Sequence, residues 1–173
     1  MAKIYLLVVA IFISFNLSSQ TKDLPKFDFE NYNFSKAIVV EVKGKGKGKV
    51  QLEDDLRSWI NSYFNESTLL DSKFSEDSFL ISGKSLRFLK IKNLPTDLKY
   101  DIKISLRDQK YRFEVRALYY KYYTEYRIIS DVDLIKDDVI KKDLLESRSI
   151  ITAFINNLNS NLFRYITKEN NEW

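Results

Sequence analysis

An acidic cluster precedes the last predicted helix of this chain and consists of Asp131, Asp133, Asp137 and Asp138. The first two aspartates have the spacing of calcium ligands, but Ile135 occupies the next ligand position. Lys136 replaces the glycine that a calcium loop requires, and Lys142 replaces its terminal glutamate. We therefore expect a solvated acidic segment and no metal site.

A run of alternating lysine and glycine, Lys43–Lys49, follows a predicted strand and precedes a predicted helix. Backbone amides at such a position can bind phosphate. However, the glycines lack the spacing of a phosphate-binding loop, and Val50 follows the last Gly-Lys pair instead of Ser or Thr. The run predicts a flexible solvated turn, with an anion or acidic-surface contact as the alternative.

The chain contains no cysteine and no histidine. This composition excludes disulfides, Ser-His-Asp and Cys-His nucleophiles, and thiolate or imidazole metal sites. Paired carboxylates, a Ser-Lys pair, tyrosine and an oxygen-ligand metal site remain possible. Among the carboxylates, Glu53, Asp54 and Asp55 are explained by the preference of a first helical turn for negative charge. We expect no catalytic residue and no cofactor. The alternative function is a small carboxylate-dependent hydrolase acting on cell-wall or polysaccharide substrates.

Tyrosines and basic residues form the candidate binding surface, which comprises Tyr119, Tyr120, Tyr122, Tyr123, Tyr126, Lys103, Arg112 and Arg116. Tyrosine is favoured at recognition surfaces because it joins a rigid ring to a polar tip. Strand alternation would place Tyr120, Tyr122 and Tyr126 on one face, with structural packing as the alternative role. We predict an envelope protein, peptide or glycan as partner. Nucleic acid is not expected, because the basic residues alternate with acidic ones.

The period of the hydrophobic residues predicts the elements that position these side chains. The predicted strands are Lys36–Val42, Thr68–Phe74, Phe79–Leu89, Tyr100–Arg107 and Tyr111–Ala117. A helix is predicted over about Val50–Asn65, a turn over Asn93–Asp97, and a last helix over about Ile150–Ile166. Gly83 indicates a bulge or a close backbone approach.

The last two strands alternate apolar and charged residues, which predicts an antiparallel sheet covered on one side only. Both helices must then lie on the apolar face. The expected fold is a two-layer α+β domain in which Trp59 and Ile60 pack against Ile102, Ile104, Phe113 and Val115.

The N-terminus has the features of a signal peptide over residues 1–19, because Lys3 precedes the apolar run Ile4–Phe15 and small residues follow it. We expect cleavage near Gln20 and a periplasmic or secreted protein without a stable membrane span, with an uncleaved anchor as the alternative. The expected organisation is a leader over residues 20–35 whose aromatic residues lie on the domain, a single domain over 36–168, and a tail over 169–173. The chain of 173 residues has a net charge of +4, which gives no strong indication of a polyanionic partner.

The segment Ser35–Ala117 resembles an exported bacterial domain of unknown function with a TBP-like fold, the fold of one repeat of TATA-binding protein. The resemblance rests on a strand, a Gly-Lys turn, a helix carrying the Trp59-Ile60 pair, the ISGK element at Ile81–Lys84 and the hairpin that follows. This chain departs from the pattern in its extended Lys-Gly run and in having Ser85 where a second glycine is expected. The resemblance implies a β-α-β4-α fold and no activity.

Overall fold

The structure, a computed structural model, describes residues 24–29, 37–42, 47–129 and 132–168, without the side chain of residue 133. The predicted signal peptide, Asp131 and the tail lie outside the described residues. The strands are β1 (Ile38–Glu41), β2 (Leu69–Ser75), β3 (Ser78–Ile91), β4 (Leu94–Arg107), β5 (Lys110–Tyr122) and β6 (Glu125–Ile128). The helices are α1 (Lys49–Tyr63) and α2 (Asp138–Thr167), and a 3-10 turn, Val132–Leu134, precedes α2.

The six strands form one antiparallel sheet in the order β1-β5-β4-β3-β2, and β6 also pairs with β5. The edge of β5 that faces away from β4 is shared, because β1 pairs with its first residues and β6 with its last. Helix α1 packs on β4, α2 packs on β3, and the two helices contact each other. The two-layer α+β prediction is confirmed, with the short strand β6 added to it.

The core lies between the helices and one face of the sheet. Trp59 and Ile60 are buried together with the inward side chains of the central hairpin, as the apolar periods predicted. Phe27 and Phe29 of the leader also belong to this core, and their rings stack with centroids 5.7 Å apart. The leader's aromatic residues in the described segment therefore lie on the domain, whereas Tyr32 and Phe34 are outside the described residues.

Gly83 allows a close approach, as predicted. A Cβ atom at this position would lie 2.6 Å from Cζ and Oη of Tyr100, which is directly opposite on β4. Such a distance is far below van der Waals contact, so the absence of a side chain at Gly83 makes room for the buried Tyr100 ring. The strand pairing β2–β3 also contains a bulge next to this position, between Leu69 and Asp71.

The predicted turn Asn93–Asp97 is wrong in its extent. Lys92 and Asn93 alone form a two-residue turn, with φ angles of 50° and 65°, and β4 begins at Leu94. Positive φ at both central residues suits the twist of a tight hairpin. Pro95 then lies near the start of β4, where a missing N–H and a fixed φ are tolerated.

The acidic residues of α1 do not lie in its first turn, contrary to the prediction. The helix begins at Lys49 with Gly48 as its N-cap, so Glu53, Asp54 and Asp55 fall in the second turn. These acidic residues form ion pairs instead. Glu53 lies one helical turn before Arg57, and Arg57 Nη2 is 2.8 Å from Glu53 Oε1. Lys47 Nζ lies 2.7 Å from Asp55 Oδ2.

Helix α2 begins twelve residues earlier than expected, at Asp138. Asp137 is its N-cap, and the carboxylate accepts hydrogen bonds from the backbone N–H groups of Val139 and Ile140. The acidic cluster thus contains the cap of this helix. Ile150, which we expected in the apolar stripe, is 46% exposed because the stripe runs through Ser147 and Ile151 instead.

Candidate functional site

The sheet face opposite the helices, here called the open face, carries the charged side chains that alternate with the core residues. No helix of the described chain covers it. Its basic members on the central strands are Lys99, Lys103, Arg107, Lys110, Arg112, Arg116 and Lys121, and its acidic members there are Asp97, Asp101 and Glu114. Basic side chains outnumber acidic ones on these strands, so the open face is a cationic surface.

A bulge in β5 changes which tyrosines reach the open face. Asp101 pairs with Ala117 but Ile102 pairs with Val115, so the side-chain alternation shifts between these two pairs. After the shift Tyr120 is buried on the helical side. Tyr119 consequently lies on the open face, next to Lys121.

Tyr126 lies on the open face and not with Tyr120 and Tyr122, which corrects the prediction from strand alternation. Tyr123 and Thr124 form a two-residue turn, and Tyr126 comes directly opposite Lys121. Directly opposite residues share a face of the sheet. Tyr123 is 80% exposed in this turn and has a φ of 51°. The five tyrosines therefore do not form one patch.

Two of them, Tyr119 and Tyr126, surround Lys99 in what we call the lysine–tyrosine cluster. Lys99 Nζ lies 4.5 Å from the ring centroid of Tyr119 and 5.9 Å from that of Tyr126. Both distances are within the range of cation–π attraction. The Tyr119 hydroxyl donates a hydrogen bond to Asp101 Oδ2 at 3.0 Å, and Asp101 Oδ1 accepts another from Ser82 at 2.6 Å.

The pKa of both tyrosine hydroxyls in the cluster is raised above its ordinary value. Partial burial, followed by the hydrogen bond to Asp101, raises the pKa of Tyr119. Partial burial and the neighbouring charge of Asp97 raise the pKa of Tyr126 in the same way. The cluster therefore presents two neutral phenol rings beside the Lys99 side chain, an arrangement that suits binding.

A second feature of the open face, here called the cationic concavity, lies beside the β4–β5 turn. It has a volume of about 350 Å³ and is lined by Val39, Asp77, Lys103, Ser105, Arg107, Lys110, Tyr111 and Arg112. Arg112 contacts Glu114, with Nη2 3.5 Å from Oε2. Lys103, Arg107 and Lys110 form no ion pair within the described part of the chain. Four basic side chains, three of them without an ion pair in the described chain, thus border one space with a single carboxylate, Asp77, among its lining residues.

The structure separates the predicted surface residues into three groups: the basic residues in or near the cationic concavity, the two tyrosines of the lysine–tyrosine cluster, and the tyrosines on the helical side or in the β5–β6 turn. Lys103 and Arg112 line the cationic concavity, while Arg116 lies further along β5 and shares Glu114 with Arg112. Tyr122 stays on the helical side, half-buried, with Arg127 4.6 Å from its ring centroid. Sequence reasoning missed Lys110 because it adjoins a turn, although its alternation with Tyr111 was a usable signal.

Two further concavities of the described chain do not bring carboxylates together. A space of about 580 Å³ beside Tyr120 and Leu134 contains Asp137, the α2 cap. A space of about 280 Å³ beside the β3–β4 turn contains Asp97. In each, the one acidic side chain already accepts a backbone hydrogen bond. Among the described residues, no group of three or more acidic side chains could hold a metal ion.

A membrane span is not found among the described residues, where no helix has the length and hydropathy needed for one.

Comparisons with known proteins concern the fold. Neither a protein-family model nor a curated protein sequence matches the chain. A TBP-like protein from Parabacteroides distasonis is similar in structure, with a TM-score of 0.59, 17% identity, and coverage of 77% of this chain and 92% of that one. A DUF4468 family protein from Bacteroides ovatus has a TM-score of 0.59 and 12% identity, covering 88% of this chain and 95% of that one.

These similarities confirm the expected TBP-like fold. Both neighbours are bacterial proteins, and their names describe a fold and a domain of unknown function without an activity. A fold of this kind does not by itself determine function, which must be argued from the surface.

Proposed function

We propose that this protein is an exported, non-catalytic binding module that recognises an acidic protein, peptide or glycan of the cell envelope through its open face. The cationic concavity carries the proposal. Lys103, Arg107 and Lys110 border about 350 Å³ of open space without ion pairs in the described chain. Carboxylate, sulfate or phosphate groups of a partner would supply the missing charge, and a guanidinium can bind them through two hydrogen bonds.

The lysine–tyrosine cluster supports an extended ligand. Lys99 and Lys103 are on the same face of β4, four residues apart, which corresponds to about 13 Å along a strand. A peptide or glycan lying along β4 would therefore reach the concavity with its charged groups and the rings of Tyr119 and Tyr126 with its apolar groups. Aromatic faces suit both sugar rings and side chains.

Binding to defined probes tests this proposal. Wild-type protein is measured against poly-L-glutamate, dextran sulfate, duplex DNA and neutral dextran over a range of salt concentrations. The matched variants are Lys110→Glu in the concavity and Lys142→Glu on the exposed side of α2, which make the same change in net charge. We expect a polyanionic peptide or glycan to bind, Lys110→Glu to weaken binding, and Lys142→Glu to leave it unchanged.

Three results would contradict the proposal. Equal weakening by both variants would mean that binding follows net charge and not the concavity. Stronger binding to duplex DNA than to the other probes, falling steeply with salt, would indicate a nucleic-acid surface. Absence of binding to every probe at low salt would remove the basis for an acidic partner.

A further inference from the structure

Strand β2 is an edge strand whose outer backbone groups have no partner strand in the described chain. On its inner side, Ser75 pairs with Ser78 around a two-residue turn, and Lys84 N–H donates to Thr68 C=O at 2.8 Å. Hydrogen bonding alternates along an antiparallel ladder. Asp71, Lys73 and Ser75 therefore bond to β3, and Ser72 points its N–H and C=O away from the sheet.

We propose that this edge pairs with β2 of a second copy of the chain, antiparallel and centred on Ser72. The strand reads LLDSKFS, in which the charges are symmetric about Ser72. In this register the two Ser72 residues exchange both backbone hydrogen bonds. Asp71 of each copy then lies opposite Lys73 of the other, at a non-hydrogen-bonded pair where side chains are closest.

The exposure of these side chains agrees with such pairing. The side chains of Asp71 and Lys73 are 53% and 73% exposed, and their contact within one chain, 3.1 Å long, is an exposed ion pair. Lys and Asp on an edge strand normally discourage pairing with other strands. Here the symmetric placement of opposite charges discourages foreign strands but attracts a copy of itself.

Apolar contacts at the ends of the strand would add to the attraction. Leu70 is exposed at the edge, and Phe74 is half-buried against Phe79 with ring centroids 4.6 Å apart. The proposed register brings Leu70 of one copy opposite Phe74 of the other. The bulge between Leu69 and Asp71 shortens the regular ladder, so we infer a small interface and a reversible dimer.

Cysteine crosslinking of the purified full chain tests the register, since the protein has no cysteine of its own. Two Cα atoms in a hydrogen-bonded antiparallel pair are about 5.5 Å apart, which suits a disulfide. Ser72→Cys should therefore form a disulfide-linked dimer under mild oxidation. Ser75→Cys is the matched control, because the two copies of residue 75 would be about 20 Å apart and should not crosslink.

Charge reversal in the Ser72→Cys protein tests the ion pairs. Asp71→Lys and Lys73→Asp each place like charges opposite one another, which should slow crosslinking about tenfold. A mixture of these two variants restores both attractions, so we expect the crosslinked heterodimer to form at the unmodified rate. Each variant is also checked by circular dichroism for retained folding.

Two results would overturn the proposal. Equal crosslinking of Ser72→Cys and Ser75→Cys would show contact without this register. Failure of the mixed variants to restore crosslinking, with both folded, would show that Asp71 and Lys73 do not meet across an interface. Neither result depends on ligand binding at the open face.

Discussion

Two side-chain hydrogen bonds connect the last helix to the rest of the core. Tyr111 Oη donates to Asn159 Oδ1 at 2.9 Å, and Trp59 Nε1 donates to Asn161 Oδ1 at 2.8 Å. Burial raises the pKa of Tyr111 well above its ordinary value, so its hydroxyl stays a donor. Among the described residues no buried side-chain polar atom lacks a hydrogen-bond partner. These bonds therefore fix the position of α2 without a penalty from unpaired polar groups.

Tyr111→Phe should lower the free energy of unfolding by about 1–3 kcal/mol, because it leaves the Asn159 amide buried and without its donor. The double variant Tyr111→Phe/Asn159→Leu removes both polar groups and should recover part of that loss. Urea unfolding of the four proteins in this cycle measures the coupling. Strictly additive single and double changes would show that the two side chains do not interact.

At the residue scale, the sequence predicted which side chains of the central hairpin face the core. Apolar and charged residues alternate strictly there, and this pattern indicates a strand with one buried face. It did not predict the faces of the tyrosines. The bulge between Val115 and Ala117 and the turn at Tyr123 each shift the alternation, and neither contains the glycine or asparagine that would signal it. Asn159 and Asn161 could not be recognised either, because a polar residue in an apolar stripe is interpretable only when its partner is known.

At the element scale, the β3–β4 turn is tied to the start of α2 through Lys92. Its backbone N–H donates to Asp143 Oδ2 at 2.7 Å, and its Nζ lies 2.5 Å from Asp137 Oδ2. The hydrogen bond from Lys92, together with backbone N–H groups, lowers the pKa of Asp137 below its ordinary value of 3.8. One carboxylate thus caps the helix and joins it to the sheet.

Asp137→Ala should lower the melting temperature at pH 7. A carboxylate with a lowered pKa in the folded state stabilises the protein above its ordinary pKa, and this stabilisation is lost as the pH falls through the folded value. The difference in melting temperature between the variant and wild type should therefore shrink below about pH 4. Asp138→Ala, one residue further on, is the control, and an unchanged difference at pH 2 would contradict the assignment.

The assignment of the two sheet faces can be tested by one pair of substitutions. Trp59 is fully buried in α1, and Arg112 is exposed on the open face. Trp59→Ala should cost about 3–5 kcal/mol as a large-to-small core change, whereas Arg112→Ala should stay within about 0.5 kcal/mol. Thermal melts of both variants measure this, and a larger loss for Arg112→Ala would require the two faces to be exchanged.

Elements with a long regular period were predictable, and those defined by a single cap or turn were not. Helix α1 and the β4–β5 hairpin follow from their periods. The first turns of α2 were missed because their cap, Asp137, looked like part of an acidic loop. Strand β6 was missed because the turn before it, at Tyr123 and Thr124, lies within a tyrosine-dense segment and contains no glycine or asparagine. Capping depends on where one carboxylate lies relative to two backbone N–H groups, which composition does not determine.

At the scale of the whole molecule, the segment before β1 is held by the last helix. Asn156 of α2 accepts a hydrogen bond from the Phe27 N–H at 2.8 Å and donates one to the Phe27 C=O at 3.0 Å. The Phe27 ring lies 5.6 Å from the ring of Phe113 on β5, measured between centroids. The helices, the sheet and the described part of the leader therefore share one core. The sequence alone indicated only that the leader's aromatic residues lie on the domain.

Removing this segment should destabilise the entire domain. A chain that starts at Asn31 lacks Phe27 and Phe29, and the loss of even one buried phenylalanine costs about 3–5 kcal/mol. The reference is a chain that starts at Gln20, the expected mature N-terminus. A chain that starts at Leu24 is also shortened but keeps both phenylalanines, so it is the matched control for the Asn31 chain. We expect the Leu24 and Gln20 chains to unfold at the same urea concentration and the Asn31 chain at a much lower one. Equal midpoints for all three would show that the two phenylalanines do not belong to the stabilising core.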